Sequence, residues 1–380
     1  MKFAHLADTH LGYRQYGLYE REIDFYNIFN NIIDKLIEEQ PDFVIHSGDL
    51  FEFSRPPTNA LLTVQKGLLA LRDAGIPVYA IAGNHDMIMR KNALPPQVLF
   101  KEMGLKIISP NNPFFIKEDV FIGGTPYVSK HQATYLTESL KKLEVMSRDY
   151  DKRILVLHQG IDKYLPFEYE LELANIPESF NYYALGHIHA RITDDYGQGK
   201  LAYPGSSEIW KIDELGNYQK NGKGFYLVDM DGDVPEIESI NMEMPREFIR
   251  ADIQYPELTA EIEKIKNLVL SLPNKPLLNL TVEGGNFNRS EVYDELNQVF
   301  ADICLSLRPS FKSQSLIEGE EILKDGSDLN PHKLISEQLK DFENQKITDL
   351  ALSLLNEMSV GNMENAEEVS KKFYGEFYDN

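Results

Sequence analysis

Cysteine is almost absent from this 380-residue chain. Only Cys304 is present, so no internal disulfide can form and the composition suits a reducing compartment. Long apolar runs are missing as well. No segment approaches the roughly 18 apolar residues of a membrane span, and the opening MKFAHLADTH holds no hydrophobic stretch of signal-peptide length. A cytoplasmic protein is the expectation. Positive charge is in deficit, with 38 Lys and Arg against 60 Asp and Glu and a net charge of −22. That balance argues against a generic nucleic-acid coat, because phosphate neutralisation calls for Lys and Arg. The deficit is uneven, however. Residues 51–150 carry 12 basic against 9 acidic side chains, which leaves room for a modest basic face.

What is present is an apolar fraction of 42%, enough for a sizeable core, in a length that suits about two to three domains. In the first half, short β-branched runs alternate with helical patterns. KFAHLA, DFVIHSG, PVYAIAG, RILVLHQ and YYALGH read as buried strands, with helices expected near 20–39, 57–73, 95–103 and 132–147. Strands alternating with helices predict a layered α/β sheet. After His189 the pattern turns β-rich. Near 243–250 it changes again: FIRADIQ, LLNLTVEG and SFKSQSLI read as strands around helices near 257–271 and 290–300, a small α+β unit. The glycines of EGEEILKDGSD open a linker, and from about Pro331 the tail is charged, helical and amphipathic.

Chemistry-bearing residues gather directly after the five strands of the first half. Asp8 and His10 lie in LADTHLG, Asp49 in HSGDLF, Asn84 and His85 in AGNHDM, His158 in VLHQG, and His187 and His189 in GHIH. Ligands of layered α/β sheets bind beyond the carboxyl ends of the strands, so these residues are expected on one edge. The set mixes oxygen and nitrogen donors and has no thiolate, which suits Mn²⁺, Fe²⁺ or Zn²⁺. Its size exceeds the need of one tetrahedral ion and fits two ions sharing a carboxylate, the arrangement that clamps an in-line phosphoryl displacement. A lone histidine at a strand end is more often structural; His5, His46, His131 and His332 take that reading.

These residues and their order resemble the calcineurin-like metallophosphoesterase superfamily over roughly residues 1–240. HLADTHLGYRQYG, VIHSGDLFEFSRP, VLHQGI and YYALGHIHAR are similar to double-strand-break repair nucleases of the meiotic-recombination-eleven or SbcD type, in their archaeal form. The resemblance implies a two-sheet β-sandwich flanked by helices, a small α+β capping domain and a helical C-terminal tail. The boundaries would be 1–245 for the nuclease domain, 246–325 for the cap and 326–380 for linker and tail. It implies a dimetal DNA nuclease, with exonuclease action on duplex ends and endonuclease action on single strands or hairpins. Two divalent ions, Mn²⁺ foremost, would be held by Asp8, His10, Asp49 and His189, and by Asp49, Asn84, His158 and His187. His85 would be the non-ligand catalytic histidine, with Asp86 orienting it or stabilising the turn. Glu52 stands where many relatives have histidine directly after GDLF.

Partners follow from the same resemblance. The helix carrying Leu61, Leu62, Val64, Leu68, Leu69 and Leu71, with Val98, Leu99, Phe100 and Met103, would form a homodimer, although apolar helix faces more often pack on their own domain. Leu334, Ile335, Leu339 and Phe342, then Ile347, Leu350, Ala351, Leu354 and Leu355, then Val369, Phe373 and Phe377, would bind the coiled-coil base of an SMC-like ABC ATPase. Packing of this tail back on the cap is the competing reading. Arg14, Gln15, Arg55, Arg90, Lys91 and Arg191 are candidates for DNA phosphate contacts. The rival functions are a metallophosphoesterase acting on nucleotides or phosphoproteins, and a non-catalytic dimeric scaffold.

Overall fold

A computed structural model describes residues 1–87, 93–312, 345–359 and 369–373. Contacts divide the chain into two units, Met1–Ser313 and Gln314–Asn380. In the first unit the strands are β1 Lys2–Leu6, β2 Phe43–His46, β3 Val78–Ala80, β4 Leu105–Ile107, β5 Phe114–Lys117, β6 Val120–Thr125, β7 Lys152–His158 and β8 Tyr182–Gly186. They continue with β9 Ile192–Tyr196, β10 Gly199–Tyr203, β11 Gly224–Asp229, β12 Glu236–Asn241, β13 Phe248–Gln254, β14 Leu277–Glu283 and β15 Ser306–Lys312. The α-helices are α1 Tyr19–Glu39, α2 Thr58–Asp73, α3 Ala133–Met146, α4 Leu215–Asn221, α5 Leu258–Ser271 and α6 Arg289–Phe300.

Two six-stranded sheets, ordered β12-β11-β1-β2-β3-β4 and β5-β6-β7-β8-β10-β9, make the expected sandwich. Their central strands are buried on both faces, which is why they read as near-continuous apolar runs. Alternation along each strand sorts the residues into layers. Phe3, Phe43, Ile45, Ile154, Val156 and Tyr182 meet between the sheets. Ala4, Leu6 and Val44 face outward under α1 and α2. Leu155, Leu157, Tyr183 and Leu185 face outward under α3. Helix α1 buries Phe25, Ile28, Phe29, Ile32, Ile33 and Leu36, a stripe at three- and four-residue spacing, and stops at Gln40 in the left-handed region. β1, β2 and β3 run parallel, as do β6, β7 and β8, so their carboxyl ends reach one edge.

The strands β13, β14 and β15 form a separate parallel sheet with α5 and α6 over its apolar core of Ile253, Ile262, Leu278, Leu280, Leu296 and Phe300. Its last strand lies earlier than the expected SFKSQSLI. Pro309 within it suggests a break, but β15 is an edge strand, where a missing N–H is tolerated. The segment expected as a helix near 95–103 is a 3₁₀ helix, Pro96–Met103. In the second unit, the helix Gln345–Ser359 carries Ile347, Leu350, Ala351, Leu354 and Leu355. The linker glycines, Leu334, Ile335, Leu339, Phe342 and Phe377 lie outside the described residues, as do Arg90 and Lys91. Among the described residues no helix is long and apolar enough to cross a membrane.

Candidate metal centre

The backbone at the shared edge is unusual before any side chain is considered. Asp8, His10, Asp49 and His187 have positive φ, at 51°, 45°, 53° and 91°. Such conformations cost on the order of 1–3 kcal/mol each for residues with a Cβ, and persist only where the surroundings hold them. Here the loops hold one another. Asp8 N–H donates to Gly48 O at 3.0 Å, His10 N–H to Asp49 O at 3.1 Å and Leu11 N–H to Leu50 O at 3.1 Å. Asp86 accepts from the N–H groups of Gly83 and Phe51, both at 2.9 Å, and of Leu50 at 3.2 Å. It is the turn-stabilising carboxylate of the two readings and ties the GDLF loop to the GNHD loop. Burial, then the neighbouring charge of Asp49, pushes its carboxyl up to about 7. Gly83 is required for close approach, since a Cβ there would lie 2.1 Å from Asp49 Oδ1.

The structure brings all seven expected ligand residues together. The Asp8 carboxylate accepts from His187 N–H at 3.1 Å. Asp49 Oδ1 accepts from His85 N–H at 2.9 Å, while its Oδ2 stands 3.2 Å from His158 Nε2 and 3.9 Å from His10 Nε2. Asn84 Oδ1 lies 3.1 Å from both His158 Nε2 and His187 Nδ1. His10 Nε2 and His189 Nε2 face each other at 3.1 Å. One ligand atom each from Asp8, His10 and His189 falls within 4.8 Å of the others, and Asp8, Asp49 and His158 do the same. Burial opposes charge on both Asp49 and His158, yet their mutual attraction prevails. The Asp49 carboxyl is held well below the usual range, and the His158 imidazole is pushed up to about 9. Burial, with the His158 charge behind it, lowers His187 to about 3.

This donor set calls for cations. Ser47 O can only accept, so His158 Nδ1, 2.8 Å away, carries a proton. With its other nitrogen protonated as well, His158 turns Nε2–H toward Asp49 Oδ2 and Asn84 Oδ1 and sets a positive charge between these acceptors. His189 Nδ1 likewise donates to Glu214 Oε1 at 2.8 Å, and Glu52 Oε2 stands 2.9 Å from His10 Nδ1. With its proton on Nδ1, His189 turns the lone pair of Nε2 toward His10 Nε2. Borderline divalent ions are the groups that such nitrogen and carboxylate donors take.

Residues 1–191 match the calcineurin-like phosphoesterase family. The DNA double-strand break repair protein Mre11 of Methanococcus maripaludis is 39% identical over 326 residues, covering 84% of this chain and 86% of that protein. The Mre11 protein of Methanocaldococcus jannaschii is 37% identical over 384 positions, 98% of each chain. The chain belongs to the Mre11 family of calcineurin-like phosphoesterases. It is thus a metal-dependent hydrolase of the nuclease kind, and the family uses divalent metals. The Mre11 protein of Sulfolobus acidocaldarius, at 36% identity over 99% of each chain, extends the match to the tail.

Within this Mre11-family site, Glu214 and Trp210 escaped the reading of the sequence, and the partners of Glu52 were not foreseen. Glu52 is a buried acid at the centre. Besides meeting His10 it accepts from Trp210 Nε1–H at 2.9 Å. Its backbone carbonyl accepts from His85 Nδ1–H at 2.9 Å. Glu214 is fastened by Lys223 Nζ at 2.7 Å. The one available signal was Trp210, the only tryptophan in the chain. Two DNA-contact candidates are corrected. Gln15 is buried, accepting from Arg21 Nε–H at 2.8 Å and donating to Trp210 O at 2.9 Å. Arg191 is buried too, with its guanidinium donating to Asn221 O at 2.9 Å and Ile240 O at 2.8 Å. Both secure loops and neither offers its donors to a phosphate. Arg14 pairs with Glu22, and Arg55 is exposed. His5 and His46 sit in the interior. His5 contacts Tyr182 Oη at 2.9 Å and Ser47 Oγ at 2.8 Å, and His46 contacts Thr9 Oγ1 at 3.1 Å.

Proposed function

We propose that this protein is a two-metal DNA nuclease of double-strand-break repair. It trims duplex ends as an exonuclease and cuts single strands or hairpins as an endonuclease. The observation that carries the reading is the convergence of five strand-end loops into apposed ligand atoms around Asp49, with His85 beside them. Asp8, His10, Asp49 and His189 would hold one ion, and Asp49, Asn84, His158 and His187 the other, with Mn²⁺ the expected metal. When bound, the ions would supply Lewis acidity and positive charge at the phosphodiester.

The protein residues supply position and protons. A cleft of about 460 Å³ is lined by Asn84, His85, His187, His189 and Trp210. His85 is partly exposed there. Its Nδ1–H is committed to the Glu52 carbonyl, which leaves Nε2 for substrate. From Nε2 it stabilises charge on the phosphate and delivers a proton to the leaving 3′-oxygen, as a general acid. His85→Ala should lower Mn²⁺-dependent cleavage of duplex DNA by about 10²–10⁴-fold while metal and DNA binding persist. Cleavage at the wild-type rate would refute this assignment. Comparing hairpin and duplex DNA with a simple phosphodiester separates it from the nucleotide or phosphoprotein reading.

Assembly belongs to the same proposal. Val64, Leu68 and Leu71 are spent on the chain's own core, but Leu62, Leu94 and Leu99 are exposed and support a homodimer surface. The domains are a nuclease body 1–245, a cap 246–325 and a tail 326–380. The apolar positions of Gln345–Ser359 support binding to the coiled-coil base of an SMC-like ABC ATPase. Deleting the chain after Asp328 should abolish co-purification with that partner and spare nuclease folding. Arg14 and Arg55 are the phosphate contacts we retain. We place the protein in the cytoplasm, where its lone thiol, Cys304, stays reduced.

A further inference from the structure

The two halves of the centre are built differently. On one half each imidazole has a carboxylate beside it, hydrogen-bonded at His189 and in ion-pair contact at His10. His189 Nδ1 donates to Glu214 Oε1 at 2.8 Å, and His10 Nδ1 is 2.9 Å from Glu52 Oε2. Both carboxylates are in turn held by one residue. Trp210 donates its indole Nε1–H to Glu52 Oε2 at 2.9 Å and its backbone N–H to Glu214 Oε2 at 3.2 Å. Its ring lies against the same histidines, with centroids 5.5 Å from His10 and 5.2 Å from His189. Lys223 Nζ, at 2.7 Å, and Ser206 Oγ, at 3.2 Å, complete the hold on Glu214. On the other half His158 Nδ1 donates to a neutral backbone carbonyl, Ser47 O, with the Asp8 carboxylate standing off at 4.0 Å. The carboxylate oxygen that pairs with the His187 ring, Glu170 Oε1, is 3.8 Å from its Nε2.

A carboxylate behind a ligating imidazole fixes the proton on the far nitrogen, orients the ring and raises its basicity as a ligand. We propose that Glu52, Glu214 and Trp210 form a clamp of positioning residues that makes the two metal positions unequal. The ion between His10 and His189 is held tightly, and the ion between Asn84, His158 and His187 loosely. This rests on the two-metal reading above. It assigns the position of Glu52 a function of its own: a buried acid that tunes one ion through His10, in place of a group facing substrate.

Trp210 reports on the proposal directly, being the only tryptophan. Metal-stripped full-length protein would be titrated with Mn²⁺ alone, by calorimetry and by Trp210 emission. Two separable equivalents are expected, with the emission change complete after the first. Glu52→Gln and Glu214→Gln should each weaken the tighter equivalent by roughly 10–100-fold and leave the weaker one within a few-fold. His187→Ala should remove only the weaker. Equal affinities, emission that follows the second equivalent, or a loss confined to the weaker ion in the Gln variants would overturn the proposal. The wild-type emission result decides the matter even where a variant does not fold. Absence of any Mn²⁺ binding would instead fell the two-metal reading itself.

Discussion

The space between the two sheets and the edge where their strands end are made by the same strands and obey opposite rules. β1 places Phe3 in the interior and then runs into Asp8; β2 places Phe43 and Ile45 there and runs into Asp49; β7 places Ile154 and Val156 there and ends at His158. Inside, Phe3 stacks on Phe43 at 4.9 Å and meets Tyr182 edge-on at 5.2 Å across the sheets. A few residues on, the backbone turns left-handed and carboxylates and imidazoles crowd together. Apolar burial, at about 25 cal/mol per Å², offsets the strain and unmet charge at the edge. Fold stability and metal demand are therefore separable, although they share strands.

Substitution can break that separation or sharpen it. Asp49→Ala carries the largest expected effect: cleavage should fall to background, since the proposed centre makes Asp49 the ligand common to both ions. The stabilisation conferred by Mn²⁺, about 2.7 kcal/mol at 100-fold excess over Kd, should disappear with it. A thermal melt with and without Mn²⁺ checks this, and a retained shift would contradict it. Phe43→Ala should do the converse, costing about 3–5 kcal/mol in urea unfolding while folded protein keeps its Mn²⁺ affinity.

Acid sharpens the comparison further. Burial lowers the buried His5 and His46 to about 3, well under the unfolded value of 6.5. Both fold as neutral rings, so their contribution is intact above pH 6.5 and is lost as pH falls from there towards 3. Each should remove up to about 1.4 kcal/mol per pH unit. His5→Gln should flatten the acid limb of the urea midpoint, measured in chelator from pH 7 to 5; an unchanged slope would refute the assignment. The smallest effect belongs far from both regions. Lys35→Ala breaks the surface pairs with Glu38 and Glu39 and should cost under about 1 kcal/mol.

The cluster at the shared edge was legible because metal binding needs particular residue types at strand ends, and strands buried on both faces announce themselves as apolar runs. Asp8, His10, Asp49, Asn84, His158, His187 and His189 could all be named that way. Residues acting through another side chain carry no such mark. Glu52 reads only as a departure from its relatives, Glu214 follows an unremarkable turn, and Arg191 and Gln15 pass as surface polar groups until their partners are seen. The short strands β4, β5 and β6 were also missed. LKI and FFIK are too brief for periodicity to separate from loop, and the glycines of VFIGGT suggest a turn. Gly124 is there because a Cβ would come within 2.2 Å of Val156 O on the neighbouring strand.

The pairing of β1 has a consequence during synthesis. One edge of β1 is closed by β2, but the other waits for β11, where Lys2 aligns with Asp229 and His5 with Tyr226. A nascent chain halted on the ribosome before that point carries an open apolar strand, a template for wrong partners. Until GHIH has emerged it also lacks His187 and His189. A product ending before Gly186 would lack both, whereas one ending between Ala190 and Lys223 would carry the histidines beside a still open strand.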